Sequence, residues 1–137
     1  MVPELALQGT VIDLLRSDVS LMSLVRSVSD RKLPASDGSA VDDYPYVHMS
    51  SIFDGWDTQT VNGFSVLTRV HVWSRSGSYA EPKRIQGRVY ELLHRQPIDI
   101  ENFSVVQNRR LTSRLDDDPD GKTTHGVCEY RTLLEIA

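Results

Sequence analysis

The most regular pattern of apolar and polar residues lies in the middle of the chain, from residue 64 to residue 75. From Phe64 to Val72 its even-numbered positions are apolar or β-branched, and most of its odd-numbered positions are polar. A period of two is typical of a strand with one buried face. We therefore predict a strand over 64–75 that directs one row of side chains into the core, namely Phe64, Val66, Thr68, Val70 and Val72.

A helix is predicted directly after this strand, over about residues 80–95. Ser76-Gly77 ends the strand pattern, and Ser78 and Glu81 then have the spacing of a capping box, in which two side chains satisfy amides at a helix start. Pro97 prevents the helix from continuing. The apolar positions at helical spacing are Ile85, Val89, Leu92 and Leu93.

Two further helices are predicted near the N-terminus. Pro3 suits a first helical turn because its missing N–H would have no partner there, and the pattern continues to about Arg16. A second, short helix is expected to begin after Ser17 or Asp18 and to end near Val28. Residues 29–43 are rich in turn-forming residues and are predicted to form a surface loop.

The remaining strands are predicted on both sides of the central pattern. A strand is expected over Tyr44–Phe53, broken by residues 54–58, and Asn62-Gly63 predicts a tight hairpin turn because both residues tolerate positive φ. Part of 103–115 is predicted to be a strand, residues 116–126 a hairpin tip, and 127–136 a final strand. Its buried row is predicted to be Cys128, Tyr130, Thr132, Leu134 and Ile136.

The resulting order, α-α-β-β-α-β-β, predicts an α+β fold with a mainly antiparallel sheet and helices packed on one face. A length of 137 residues fits a single domain over 1–137. Cys128 is the only cysteine, so an intramolecular disulfide is excluded. No apolar run reaches the roughly 20 residues of a membrane span, and the N-terminus lacks a signal-peptide pattern, so we expect no membrane partner and a cytoplasmic location.

Charge and spacing give no indication of nucleic-acid binding or catalysis. The chain has 15 basic and 19 acidic residues, and a net charge of −4 argues against a surface that neutralises DNA phosphates. Residues 121–123, Gly-Lys-Thr, lack the earlier Gly of a phosphate-binding loop, and Asp118-Pro-Asp-Gly is better interpreted as a type I turn followed by a Gly at positive φ. We predict no catalytic residue and no cofactor.

The four histidines, at positions 48, 71, 94 and 125, do not have the spacing of a metal site. No pair shows the His-x-x-x-His pattern that places two ligands on one helix face, so no metal is predicted. His94 lies near a helix C-terminus, where a partly positive ring is favoured by the negative end of the helix dipole.

Four motifs appear in a fixed order along the chain. They are Pro45-Tyr46-Val47, a long strand ending in His71-Val-Trp-Ser-Arg75, a helix start bearing Glu81, and Asp118-Pro-Asp-Gly121 followed by His125-Gly126. In this order the chain resembles the small tail-completion, or tail-terminator, proteins of long-tailed bacteriophages, prophages and gene transfer agents. The resemblance covers most of the chain, and its motifs are structural rather than catalytic.

This resemblance implies a structural virion protein without enzymatic activity or cofactor. It would cap the phage tail tube and join the tail to the head as a homohexameric ring. Its partners would be further copies of itself, the major tail-tube protein and the head–tail connector or stopper protein. It would assemble in the host bacterial cytoplasm and then belong to the virion at the tail–head interface.

A closed ring of one chain needs two different, complementary patches on each subunit. The polar side of the long strand is our candidate for one patch, because an outward Trp beside Arg is typical of interface cores. The acidic tip could form the other patch or line the ring bore, or it could simply be a solvated turn. The first set comprises Arg69, His71, Trp73 and Arg75, and the second Asp116, Asp117, Asp118 and Asp120.

Two alternatives remain open. A neck stopper or head-completion protein would share the partners but occupy a different position. An unrelated cytoplasmic enzyme or ligand-binding α+β domain would require a pocket with converging polar groups, which the sequence does not concentrate anywhere.

Overall fold

The computed structural model describes residues 2–33, 43–53, 56–57 and 62–137. Within these residues the chain forms three helices and six strands. The helices are α1 (Pro3–Ser17), α2 (Val19–Leu24) and α3 (Ala80–Leu93). The strands are β1 (Ser27–Ser29), β2 (Tyr46–Phe53), β3 (Trp56–Asp57), β4 (Asn62–Ser74), β5 (Phe103–Asp117) and β6 (Thr124–Ile136).

The strands form one sheet in the order β1-β2-β4-β6-β5, with β3 paired to β4. β1 runs parallel to β2, and all other pairs are antiparallel. The predicted α+β class with a mainly antiparallel sheet is therefore confirmed. No helix in the described parts of the chain is both long and apolar enough to span a membrane.

The core lies between the helices and one face of the sheet. The predicted even-numbered row of β4 enters this core, and so do Cys128, Tyr130, Thr132 and Leu134 of β6, whereas Ile136 at the strand end is exposed. Burying apolar side chains of both layers removes them from water, and this drives the packing. The helices contribute Leu7, Val11, Leu15, Leu21, Ile85, Val89 and Leu93.

The structure corrects the boundaries near the N-terminus. α2 ends at Leu24 rather than near Val28, and Ser27–Ser29 forms a strand that the sequence did not predict. The Arg16 guanidinium donates to the Val28 carbonyl at 2.8 Å, and the Arg26 amide donates to the Pro45 carbonyl at 2.8 Å. These long-range bonds stabilise a segment too short to show any periodicity. Residues 34–42 of the predicted loop lie outside the described residues.

The predicted hairpin turn at Asn62-Gly63 is wrong. Both residues belong to β4, where they pair with Asp57 and Trp56 of β3, and Gly63 also pairs with Glu135 of β6. Pairing on two sides outweighs the local turn preference of Asn-Gly. β2 also begins at Tyr46, two residues later than predicted. Residues 54–55 and 58–61, which include most of the predicted break, lie outside the described part of the chain.

The capping box at the start of α3 is also wrong. The Ser78 hydroxyl accepts only from the Ala80 amide, at 3.1 Å, and the position before the helix is Tyr79, which forms no side-chain cap. The Glu81 carboxylate accepts from the Ser74 hydroxyl at 2.8 Å instead of from Ser78. Glu81 therefore connects the helix start to the end of β4.

The β5–β6 hairpin is longer than predicted, because β5 continues to Asp117 and β6 begins at Thr124. Its turn agrees with the prediction. The Gly121 amide donates to the Asp118 carbonyl at 3.0 Å, and Gly121 has a φ of +71°, which favours glycine. The turn is thus a short, hydrogen-bonded connection between two long strands.

Candidate interaction surface on the open face of the sheet

The predicted interface residues lie on the face of the sheet opposite the helices, which we call the open face. Arg69, His71 and Trp73 are alternate residues of β4, and Arg75 continues their row just past the strand end. Alternate side chains of a strand point to the same face, so these side chains lie together on one face of the sheet. On the neighbouring strands, Trp73 has two register partners, Tyr46 of β2 and His125 of β6.

The structure also brings two further histidines beside this row. His48 of β2 is the register partner of His71, and His125 of β6 is the register partner of Trp73. Their rings stack: the centroids of Trp73 and His125 are 3.8 Å apart, those of His48 and His71 are 4.3 Å apart, and those of His71 and His125 are 5.1 Å apart. We call His48, His71, Trp73 and His125 the aromatic stack.

Hydrogen bonds between ring nitrogens hold the aromatic stack together. The Trp73 Nε1–H donates to His48 Nδ1 at 3.0 Å, and His71 Nδ1 lies 2.9 Å from His125 Nε2. The Ser50 hydroxyl lies 3.2 Å from His71 Nε2. Because an imidazole nitrogen accepts only when it carries no proton, the first bond requires an unprotonated His48 Nδ1, and the second requires one accepting ring.

Burial keeps these imidazoles neutral. The pKa of His48 falls to about 4, mainly because of burial and then because of nearby His71. The pKa of His71 also falls to about 4, from burial and then from His125. Burial likewise lowers the pKa of His125. A low-dielectric environment disfavours the charged form of an imidazole, so at pH 7 the rings are uncharged.

Trp73 is not an exposed anchor. Only 6% of the residue is exposed, and its neighbour His48 is 8% exposed. The Lys32 ammonium lies 4.4 Å from the centre of the indole, and the Tyr46 ring stacks at 6.3 Å. The outward position predicted for the indole is therefore covered by the chain itself. Arg69, whose side chain is 41% exposed, is the accessible part of the row.

The two arginines of the row already have partners within the chain. Arg69 Nε donates to Glu129 at 3.1 Å, and this contact lowers the pKa of Glu129. Arg75 lies 3.8 Å from Asp120 and places its guanidinium 4.3 Å from the centre of the Tyr44 ring. The two predicted patches, the basic row and the acidic tip, thus contact each other inside one subunit.

The aspartates of the acidic tip have partners within the same subunit. The Asp120 carboxylate accepts from the amides of Lys122 and Thr123 at 2.8 and 2.9 Å, and these bonds contribute to lowering its pKa to about 2. Asp117 accepts from the Tyr79 hydroxyl at 2.8 Å, and Asp116 lies 3.3 Å from an exposed arginine. Asp120 is thus held inside its turn, Asp117 is bonded to the residue before α3, and Asp118 accepts from the Asp120 amide at 3.3 Å.

His94 lies apart from the stack and corrects another expectation. Its Nδ1 accepts from the Arg110 amide at 3.0 Å, and its ring stacks on Tyr90 with centroids 4.4 Å apart. Desolvation and the nearby arginines, led by Arg95, lower its pKa rather than raise it. Because the ring is neutral, it does not interact favourably with the negative end of the helix dipole. His94 instead connects α3 to β5 through its hydrogen bond.

A small polar depression lies on the open face. A cavity of about 220 Å³ lies beside the stack, lined by residues that include Arg69, His71, Arg114, His125 and Glu129. Within the described residues, no group of three or more His, Cys, Asp or Glu side chains is placed to hold a metal. The residues around this depression form a polar surface that includes the Arg69–Glu129 ion pair.

Comparison with known proteins identifies the family. The family described as "Tail completion protein gp17" matches residues 9–135. The chain belongs to this family. It is 31% identical over 130 residues to the tail completion protein gp17 of Bacillus phage SPP1, which covers 94% of this chain and 92% of that protein.

A solved structure shares the fold. A chain in a structure titled "Virion of native gene transfer agent (GTA) particle" superimposes with a TM-score of 0.83 at 19% identity, covering 96% of both chains. Membership of the tail-completion family makes the protein a structural component of phage-type tails and confirms the resemblance inferred from the four motifs. The alternative of an unrelated ligand-binding domain is thereby set aside.

Proposed function

We propose that the protein caps the end of a phage tail tube and joins the completed tail to the head, acting as a homohexameric ring. The observation that carries this proposal is the family match over residues 9–135, which spans nearly the whole chain. The relative from phage SPP1 is a tail completion protein, which supports a role in tail completion. The partners in this proposal are the major tail-tube protein, the head–tail connector and further copies of the chain.

The open face is our candidate for one side of the subunit interface. A ring made by one rotation requires a heterologous contact, in which two different surfaces of each subunit meet. Arg69 offers an exposed polar contact on this face, and His71 is held beside it in the aromatic stack. Arg75 lies between this row and the tip and contacts Asp120.

The acidic tip is our candidate for the bore or for the second surface. Asp116 has an exposed carboxylate that pairs with Arg114, Asp117 accepts from the Tyr79 hydroxyl, and Asp120 accepts from amides of its own turn. A negative surface in a channel repels DNA phosphates and keeps passing DNA from binding. In this proposal Asp118 and Asp120 shape the tip, and Asp116 supplies most of its outward charge.

Exchanging the charges of the Arg69–Glu129 pair distinguishes a variant that cannot fold from one that folds but cannot assemble. Arg69→Glu places two carboxylates together, because Glu129 is its partner at 3.1 Å. The double variant Arg69→Glu with Glu129→Arg restores the internal pair but reverses the charges shown to a neighbour. Arg84→Glu, at an exposed position of α3, is the matched control. Each variant is tested for folding by circular dichroism and for joined particles by electron microscopy in a producing phage or prophage strain.

We expect the control to give joined, infectious particles and the double variant to remain folded but leave heads and tails separate, with tails of irregular length. If the double variant assembles normally, the contact does not use Arg69. If deletion of the whole gene also leaves joined particles of normal tail length, the proposed function itself is wrong.

A further inference from the structure

The aromatic stack joins four rings by hydrogen bonds that depend on their protonation. Trp73 Nε1 can only donate, so His48 Nδ1 must remain an acceptor. The pair formed by His71 and His125 tolerates one added proton, but two would place donors against each other at 2.9 Å. Protonation of His48, or of both rings of the pair, therefore removes a hydrogen bond and adds charge in the same step.

The charged groups around the stack make added protons costly on most sides. Lys32 lies over the Trp73 ring, and Arg69 and Arg114 face His71. On the other side, Asp116 and Asp118 face His125 and favour its protonation. Arg75 is directed to Tyr44 and Asp120, and Glu129 to Arg69. The titratable and charged groups facing the stack are thus Lys32, Tyr44, Tyr46, Arg69, Arg75, Arg114, Asp116, Asp118, Asp120 and Glu129.

We propose that the aromatic stack is a proton-operated switch for the open face of the sheet. While its imidazoles are neutral, the stack holds the Trp73 indole in place and Lys32 lies over it. When His48 gains a proton, the Trp73 bond is lost and the rings separate, and Lys32 loses the ring on which it packs. This inference concerns the subunit itself and does not depend on the ring.

The expected working range lies on the acid side of neutrality. Because burial lowers the pKa of His48 and His71 to about 4, the stack is intact at pH 7 and comes apart as the pH falls towards 4. The unfolded or separated state, in which imidazoles have a pKa of about 6.5, binds more protons than the intact stack. Acid therefore favours the separated state.

The test follows the Trp73 indole N–H by nuclear magnetic resonance between pH 7 and pH 4. The chain has two tryptophans, so Trp56→Phe leaves Trp73 as the only indole. The C–H resonances of the histidine rings report each protonation in the same samples. We expect the indole N–H to move from a hydrogen-bonded to a solvent-exposed resonance with the midpoint of His48, while far-UV circular dichroism changes later.

A conservative variant distinguishes a switch from general acid unfolding. In His48→Asn the side-chain amide oxygen can replace Nδ1 as acceptor but cannot titrate, so the indole resonance should stay hydrogen-bonded through the midpoint measured for the parent. His94→Asn, outside the stack, is the matched control and should titrate like the parent. An indole resonance that is unchanged down to pH 4, or a transition that His48→Asn does not shift, would overturn the proposal.

Discussion

Gly126 of the His125-Gly126 motif provides a direct test of how α3 packs on the sheet. A Cβ at this position would lie 2.6 Å from Gln86 Nε2 and 2.9 Å from Leu115 Cδ2, both shorter than a normal contact. Gln86 is buried, and its Nε2 donates to the Arg114 carbonyl at 3.1 Å. Gly126→Ala therefore forces the Gln86 amide away from its acceptor.

The expected loss of stability follows from the side chains that Gly126→Ala displaces, Gln86 and Leu115. Losing the partner of a buried polar group costs about 1–3 kcal/mol, and inserting a methyl group into a packed site typically costs about 1–3 kcal/mol. These figures describe largely the same displacement, so they do not add. Both clashing atoms are ends of flexible side chains, and the backbone can stay in place. We expect Gly126→Ala to lower the free energy of unfolding by about 2 kcal/mol.

Equilibrium unfolding in urea measures this change. Gly87→Ala is the matched control, because a Cβ there meets no atom within 4 Å and lies inside α3, where replacing Gly stabilises by about 0.5–1 kcal/mol. In a Gln86→Ala background the main clash is absent, so Gly126→Ala should cost clearly less. Equal costs in both backgrounds, or a Gly126→Ala protein as stable as the parent, would refute this account of the packing.

Three further predictions follow from other contacts and from the net charge. Asn108→Ala should lower the free energy of unfolding by about 1–3 kcal/mol in urea, because buried Asn108 donates to the Leu93 carbonyl at 2.7 Å and accepts from Thr132. Asp18 has a pKa lowered to about 2, led by its bond to Arg88, so stability should fall between about pH 4 and pH 2. Asp18→Asn should weaken that pH dependence in thermal unfolding. Titration with duplex DNA at about 150 mM salt should show no binding tighter than the non-specific range of roughly 10⁻⁴–10⁻⁶ M.

Local patterns in the sequence determined the long elements of this protein. The alternation over 64–75 placed β4 and its buried row, because a period of two distinguishes the two faces of a strand without knowledge of its neighbours. The turn at Asp118–Gly121 was predicted for a similar reason, since its hydrogen bond and positive φ involve residues close in sequence. The order of these motifs also led to the correct family.

Only the tertiary structure decided the short strands and the partners of the polar residues. β1 and β3 are too short to show a period, and Asn62-Gly63 became part of β4 because strands pair with it on both sides. The Glu81 carboxylate accepts a hydrogen bond from the Ser74 hydroxyl rather than from nearby Ser78.

The aromatic stack is the clearest case in which the sequence alone does not predict which residues meet. His71 and His125 are separated by 54 residues, and the motifs in which they lie give no indication that their rings meet. They meet Trp73 and His48 because the register of three strands places all four on one face. Strand register is set by the whole buried face of the sheet, so no local pattern around any one histidine could have predicted the stack.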